Sequence, residues 1–181
     1  KQFQTIFEEV QQFSKNSSKR MLIAETLLRP IIKRLFKEKK YQLIVDLSNA
    51  FGIYDLQNSN SLFEIAYSYS EVDNSQKGEE YYSRYLEKNG SSSAALNNLG
   101  VIYEHNNELD RALDYFNKAL SIDSKNVIYI RNIDRVENRI QAVWDEEIQK
   151  TSKWLSSKKL AEIGYTRQYV LEIEANRQFS L

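Results

Sequence analysis

An all-α fold, an α-solenoid of antiparallel helix pairs with flanking and capping helices, is predicted by three observations in this 181-residue chain. Apolar residues recur at helical spacing along most of its length. The sequence repeats itself with a period of 34 residues. It also carries only one Pro and five Gly, too little turn punctuation for a many-stranded sheet.

The first element is an amphipathic stripe of Phe3, Ile6, Phe7, Val10 and Phe13 that ends at Lys15, Asn16, Ser17 and Ser18. A longer helix is expected from about Lys19 to Glu38, with Pro30 inside it. Because Pro lacks an N–H, Pro30 either kinks that helix or marks the start of a second one. Residues 1–24 therefore form a flanking region, followed by three helical pairs at 25–58, 59–92 and 93–126 and by capping helices at 127–181.

The third pair is the clearest. Leu96, Leu99, Gly100 and Tyr103 share one face of a first helix, and a polar break follows at Asn106, Asn107 and Glu108. Leu109, Ala112, Phe116, Ala119 and Leu120 then mark the second helix. Thirty-four residues earlier come Leu62, Ile65, Ala66 and Tyr69, then Gly78, Tyr82 and Tyr85. Earlier again come Leu28, Ile31, Ile32 and Leu35, then Tyr41, Ile44 and Phe51. Small residues (Gly100, Ala66, Ala112, Ala119) let helices approach, and the rings of Tyr103, Tyr69, Phe116 and Tyr82 fill the space between them. After residue 126 the echo persists at Ile130 and Ile133, but Asp134 and Glu137 replace the small residue and the ring. A long capping helix from Val127 to about Lys150 is expected, its charges outward.

These residues resemble the tetratricopeptide repeat family. The resemblance is closest at 93–126, where Leu99, Gly100, Tyr103, Ala112, Phe116 and Ala119 match its signature. It weakens at 59–92, where Gly78 replaces the usual small Ala, and again at 25–58, where bulky Ile32 and Ile44 stand at small positions. The usual Pro between repeats is absent, with Gly90 and Ser124 in its place. The resemblance implies a right-handed superhelix whose first helices line a concave groove that takes a protein or peptide partner.

Projected onto this chain, the family's groove selects Asn60, Phe63, Tyr67 and Glu71, then Asn97, Asn98, Val101 and His105, then Arg131, Asn132 and Arg135. The expected site is Phe63 and Tyr67 as aromatic anchors, with Asn97, Asn98, Val101, Arg131, Asn132 and Arg135 beside them. The same rings could instead pack against a terminal helix of this chain. One subclass of the family grips a terminal carboxylate with a fixed basic and amide clamp. Asn98 matches one of its positions, but Phe63, Tyr67 and Ile128 stand where it needs polar or basic groups, so that clamp is not expected.

Other function classes lack their residues. Lys plus Arg and Asp plus Glu are each 25, and no Cys is present. Disulfides, thiolate metal sites and Cys nucleophiles are excluded, and a reducing, cytoplasmic setting is the expectation. Residues 1–58 hold ten basic and six acidic side chains and 59–126 hold six and eleven, a gradient able to steer a charged partner. His105 is the sole histidine and reads as a turn residue. The basic run Lys33, Arg34, Lys37, Lys39 and Lys40 reads as a solvated helix end. No catalytic residues, metal or cofactor are expected, and no apolar run is long enough for membrane insertion.

The tail from Leu160 to Leu181 resembles part of a phage-repressor helix-turn-helix, with Thr166, Arg167, Gln168 and Tyr169 opening the recognition helix. Ala161 and Gly164 are one residue too close for that turn, and Tyr165, Tyr169, Val170 and Ile173 explain the segment as a packed amphipathic helix. Nucleic acid is therefore not the expected partner. The competing roles are a spacer or homo-oligomer contact, through Phe3, Phe7 and Phe13 or through Trp144 and Trp154, and a ligand-sensing regulator whose tail meets DNA.

Overall fold

The computed structural model describes residue 26 and residues 28–51 and 59–154. The expected N-terminal stripe, the side chains of Phe51, Asn60 and Trp154, and the tail from Leu160 lie outside the described residues. Those described form helices α1 (Arg29–Lys37), α2 (Tyr41–Phe51), α3 (Ser59–Glu71), α4 (Ser75–Asn89), α5 (Ser93–His105), α6 (Leu109–Ile122) and α7 (Val127–Trp154). One compact unit extends to Val136 and a second begins at Glu137, so residues 127–136 of α7 belong to the first.

The period is written into the backbone. First helices end at Lys37, Glu71 and His105, and second helices begin at Tyr41, Ser75 and Leu109, each step being 34 residues. Every turn between them has one geometry. Lys39, Asp73 and Asn107 take positive φ of 56°, 58° and 63°. The next N–H in each turn reaches back five residues: Lys40 to the Leu35 carbonyl (2.9 Å), Asn74 to Tyr69 (2.9 Å) and Glu108 to Tyr103 (2.8 Å). This is a Schellman ending with a non-glycine residue at its left-handed position. Asn74 has a second role, since its side chain caps α4 by accepting from the Lys77 N–H at 3.2 Å.

Pro30 lies in the first turn of α1, where a missing N–H removes no helical bond. Leu28, just before α1, is itself helical (φ −73°, ψ −36°). The long C-terminal helix has an equally local cause. The turn positions of the three pairs correspond to Ile140, Gln141 and Ala142, which offer no polar break, and α7 passes through them unbroken.

Packing follows the size alternation. Ala66, Tyr82, Ala112, Phe116 and Ala119 are inaccessible, and so are bulky Ile32 and Ile44 in the first pair. A Cβ on Gly100 would lie 2.6 Å from two Phe116 ring carbons, so this helix crossing needs glycine. A second ring pair repeats with the period. Tyr69 stacks on Tyr81 with centroids 5.3 Å apart, and Tyr103 stacks on Tyr115 at 5.1 Å. In the first, Ser48 bridges the two hydroxyls (3.2 and 3.1 Å) and Tyr69 donates to Asn49 at 2.7 Å, tying α2 to the next pair. In the second, the Tyr103 hydroxyl donates to Glu79 and accepts from Arg111 at 2.6 Å, tying α4 to α5 and α6.

Candidate partner-binding face

The first helices stand side by side, α1 against α3 and α3 against α5. Hydrogen bonds extend the row to α7. Tyr129 donates to Ser93 at 3.3 Å, Asn132 to Asn97 at 2.7 Å, and Arg135 to Glu104 at 2.8 and 2.5 Å. Partners that advance together along both chains fix α5 and α7 as parallel neighbours. The expected site residues therefore share one face, but the face divides into two chemically different halves.

In the α3 half, the rings are engaged with their own array. Phe63 meets Tyr82 at 5.5 Å and Tyr85 at 5.4 Å, both from α4. Tyr67 meets Phe36 at 5.3 Å and Tyr41 at 5.5 Å. Both are half-buried, so only part of each side chain is accessible. Burial, with the neighbouring Glu71 carboxylate and Tyr41 hydroxyl, pushes the Tyr67 hydroxyl up to about 12, which keeps it a neutral donor at physiological pH. Glu64 beside them is half-buried, and desolvation raises its carboxyl above the usual range against the opposing pull of Lys33 and Arg29.

The amides form a ladder. Asn98 donates to the Tyr82 hydroxyl at 2.7 Å and accepts from Asn97 at 3.3 Å, while Asn97 accepts from Asn132. Asn97 and Asn132 are buried. All three amides are among the residues expected to face a partner. Instead they satisfy one another and set the spacing between first helices. Arg135 was expected likewise, and it is engaged by Glu104, whose side chain is only 11% exposed. His105, the last residue of α5, is exposed and faces the polar recess around Asp73, Asn74 and Glu79 at the turn edge.

The α5–α7 half keeps accessible groups. Val101 is 43% exposed, Ile128 is 60% exposed, and Arg131 is exposed. Ile128, which the sequence marks only as unsuited to a carboxylate clamp, is accessible as well. Its exposure follows from being one turn before Arg131 on the accessible stripe. Among the described residues, no group of three or more His, Asp or Glu could hold a metal ion, and no helix is long and apolar enough to cross a membrane.

A row of antiparallel helix pairs with a shared first-helix face defines a helical-repeat protein. Residues 93–126 match the family model of the tetratricopeptide repeat. The chain is 30% identical over 111 residues to the uncharacterized protein ycf37 of Porphyra purpurea, and the match spans 61% of each chain. Among solved structures it resembles the first TPR of Spaghetti (RPAP3) bound to an HSP90 peptide, with a TM-score of 0.57, 17% identity, and coverage of 70% of this chain and 96% of that one. It also resembles the Yersinia enterocolitica secretion chaperone SycD in complex with a peptide of the translocator YopD. There the TM-score is 0.52 and the identity 13%, covering 68% and 95% of the two chains. At such identities these likenesses establish the fold.

Proposed function

We propose that the chain is a protein-interaction module that takes a peptide or helix of another protein along its first-helix face. Catalysis plays no part in this activity, and we place it in the cytoplasm on the cysteine-free composition. The eight groove residues divide the work. Asn97, Asn98 and Asn132 hold the helices at a fixed spacing, Phe63 and Tyr67 offer half-buried rings, and Val101, Arg131 and Arg135 line the accessible strip. The observation that carries this proposal is Val101, a 43%-exposed aliphatic residue on a face whose neighbouring amides are already paired. Such a surface needs little rearrangement to bind, which lowers the ordering penalty on association. The peptide-bound state of the Spaghetti and SycD structures, with their similar fold, supports the same use of this one.

The test is site-specific photocrosslinking in the cell of origin. A crosslinking amino acid at Val101 is expected to capture a defined partner, whereas one at exposed Asn117 on α6 captures none. Capture at Asn117 alone would move the binding surface to the second helices.

A further inference from the structure

The division of the first-helix face narrows what its partner must carry. Ile128, Arg131 and Arg135 lie on one stripe of α7, at i, i+3 and i+7. The bonded pairs Tyr129–Ser93, Asn132–Asn97 and Arg135–Glu104 set this stripe beside the α5 stretch that contains Asn98 and Val101. Two arginines face this strip, and their states differ. Arg135 grips both oxygens of a nearly buried carboxylate. Arg131 is exposed and has no ion-pair or hydrogen-bond partner among the described residues. Asn98 and Asn132 each donate one amide N–H within the ladder, to the Tyr82 hydroxyl and to Asn97.

We propose that the α5–α7 strip recognises a side-chain carboxylate of the partner segment, flanked by aliphatic residues, with Arg131 as the receptor and Val101 and Ile128 as the apolar contacts. This rests on the first-helix face being the docking surface. The charge argument favours an acid over a base. An incoming carboxylate meets a guanidinium that is unpaired among the described residues, whereas an incoming cation meets Arg131 and finds Glu104 already held by Arg135. The exposed aliphatic residues favour a flanked acid over a bare one. Covering Val101 and Ile128 removes apolar surface from water and drains the surroundings of the new ion pair, which strengthens it.

The experiment is panning a phage-displayed random 12-residue library, fused through its C-termini, on the full chain. Enriched sequences are expected to carry Asp or Glu within a turn of Leu, Ile or Val. A C-terminally amidated synthetic peptide of the leading sequence is expected to bind about tenfold more weakly when its acid is replaced by the amide. Arg131→Glu should cause at least as large a loss, with Arg131→Lys intermediate and the helical circular dichroism unchanged. Acid-free winners, or binding indifferent to Arg131→Glu yet lost on Val101→Asp, would overturn the carboxylate proposal and leave the docking face standing. Binding indifferent to both substitutions, or no enrichment at all, would overturn the two together. Self-association of the chain that Arg131→Glu abolishes would make a second copy the occupant and also overturn it.

Discussion

Asn132 of α7 donates its side-chain amide to Asn97 of α5 at 2.7 Å, and both residues are buried. The pair is 35 residues apart, one more than the period, because it joins neighbouring helices rather than equivalent positions. Asn132→Ala should destabilise the array by about 1–3 kcal/mol, since it strands the Asn97 carbonyl away from water. In a urea-denaturation cycle with Asn97→Ala, the double variant should lose less than the sum of the singles. Strict additivity would show that the amides do not act as a pair.

Two glycines on helices should respond differently to the same substitution. At Gly100 an added Cβ would meet ring carbons of Phe116 at 2.6 Å, and Phe116 is fully buried with nowhere to turn. Overpacking of about 1–3 kcal/mol outweighs the roughly 1 kcal/mol that alanine contributes to helix propensity, so Gly100→Ala should lower the melting temperature. At Gly78 the nearest atom is Ser70 Oγ at 2.7 Å, followed by the terminal methyl of Ile102 at 3.2 Å and the Ala66 carbonyl oxygen at 3.3 Å. The first two are side-chain ends that can shift, so Gly78→Ala should be neutral or stabilising. Thermal melts of the two variants compare them directly, and a loss at Gly78 equal to that at Gly100 would refute the distinction.

The left-handed turn residues offer a gain in stability. Lys39 has φ of 56° and no side-chain chemistry that favours that region, unlike Asn107 at the matching place. Lys39→Gly should stabilise by about 1 kcal/mol, while Asn107→Gly should change little. Equal effects in chemical denaturation would mean that backbone strain at Lys39 is not the governing quantity.

This turn also marks where the sequence stops being legible. Helix pairing could be read because apolar spacing and the 34-residue echo both reflect burial, and Gly100 against Phe116 shows that match atom by atom. The left-handed residue could not be read, because Lys39, Asp73 and Asn107 share a backbone state without sharing a side chain. The first-helix face was readable as a set but not as a division of roles. Phe63 and Tyr67 have the correct phase for a groove, yet the rings they meet come from α4, α1 and α2, and no period along one helix reports those contacts. Asn97 and Asn132 likewise appeared among the residues facing a partner, since an amide's partner across helices depends on the register between them.

Glu64 gives the array a pH dependence of definite sign. Desolvation raises its folded carboxyl above the ordinary Glu value of 4.5, with Lys33 and Arg29 opposing. A raised folded value means that protonation favours the folded state. This contribution is complete below 4.5 and is lost as pH rises through the folded value. Glu64→Gln should therefore melt higher than the parent at pH 7, with the difference shrinking toward pH 4. A variant that melts lower at pH 7 would show that the attraction of Lys33 and Arg29 exceeds the desolvation penalty.

The Arg135–Glu104 pair should behave unlike the other ion pairs on this surface. Arg34–Glu38 and Lys118–Asp114 join side chains more exposed than Glu104, where such pairs contribute about 0–1 kcal/mol and fade with salt. Glu104 is only 11% exposed and both its oxygens are held by one guanidinium, so losing the arginine takes the bidentate charge partner from a desolvated carboxylate. Arg135→Ala should therefore destabilise by about 1–3 kcal/mol, and adding Glu104→Gln should restore part of that loss by removing the desolvated charge. Urea denaturation at low and at roughly 0.5 M salt separates the cases, because a screened surface pair would converge with its variant while this one keeps its difference. If Glu104→Gln deepens the loss, the carboxylate has other support, and α7 depends on Arg135 through packing of its aliphatic stem rather than through charge.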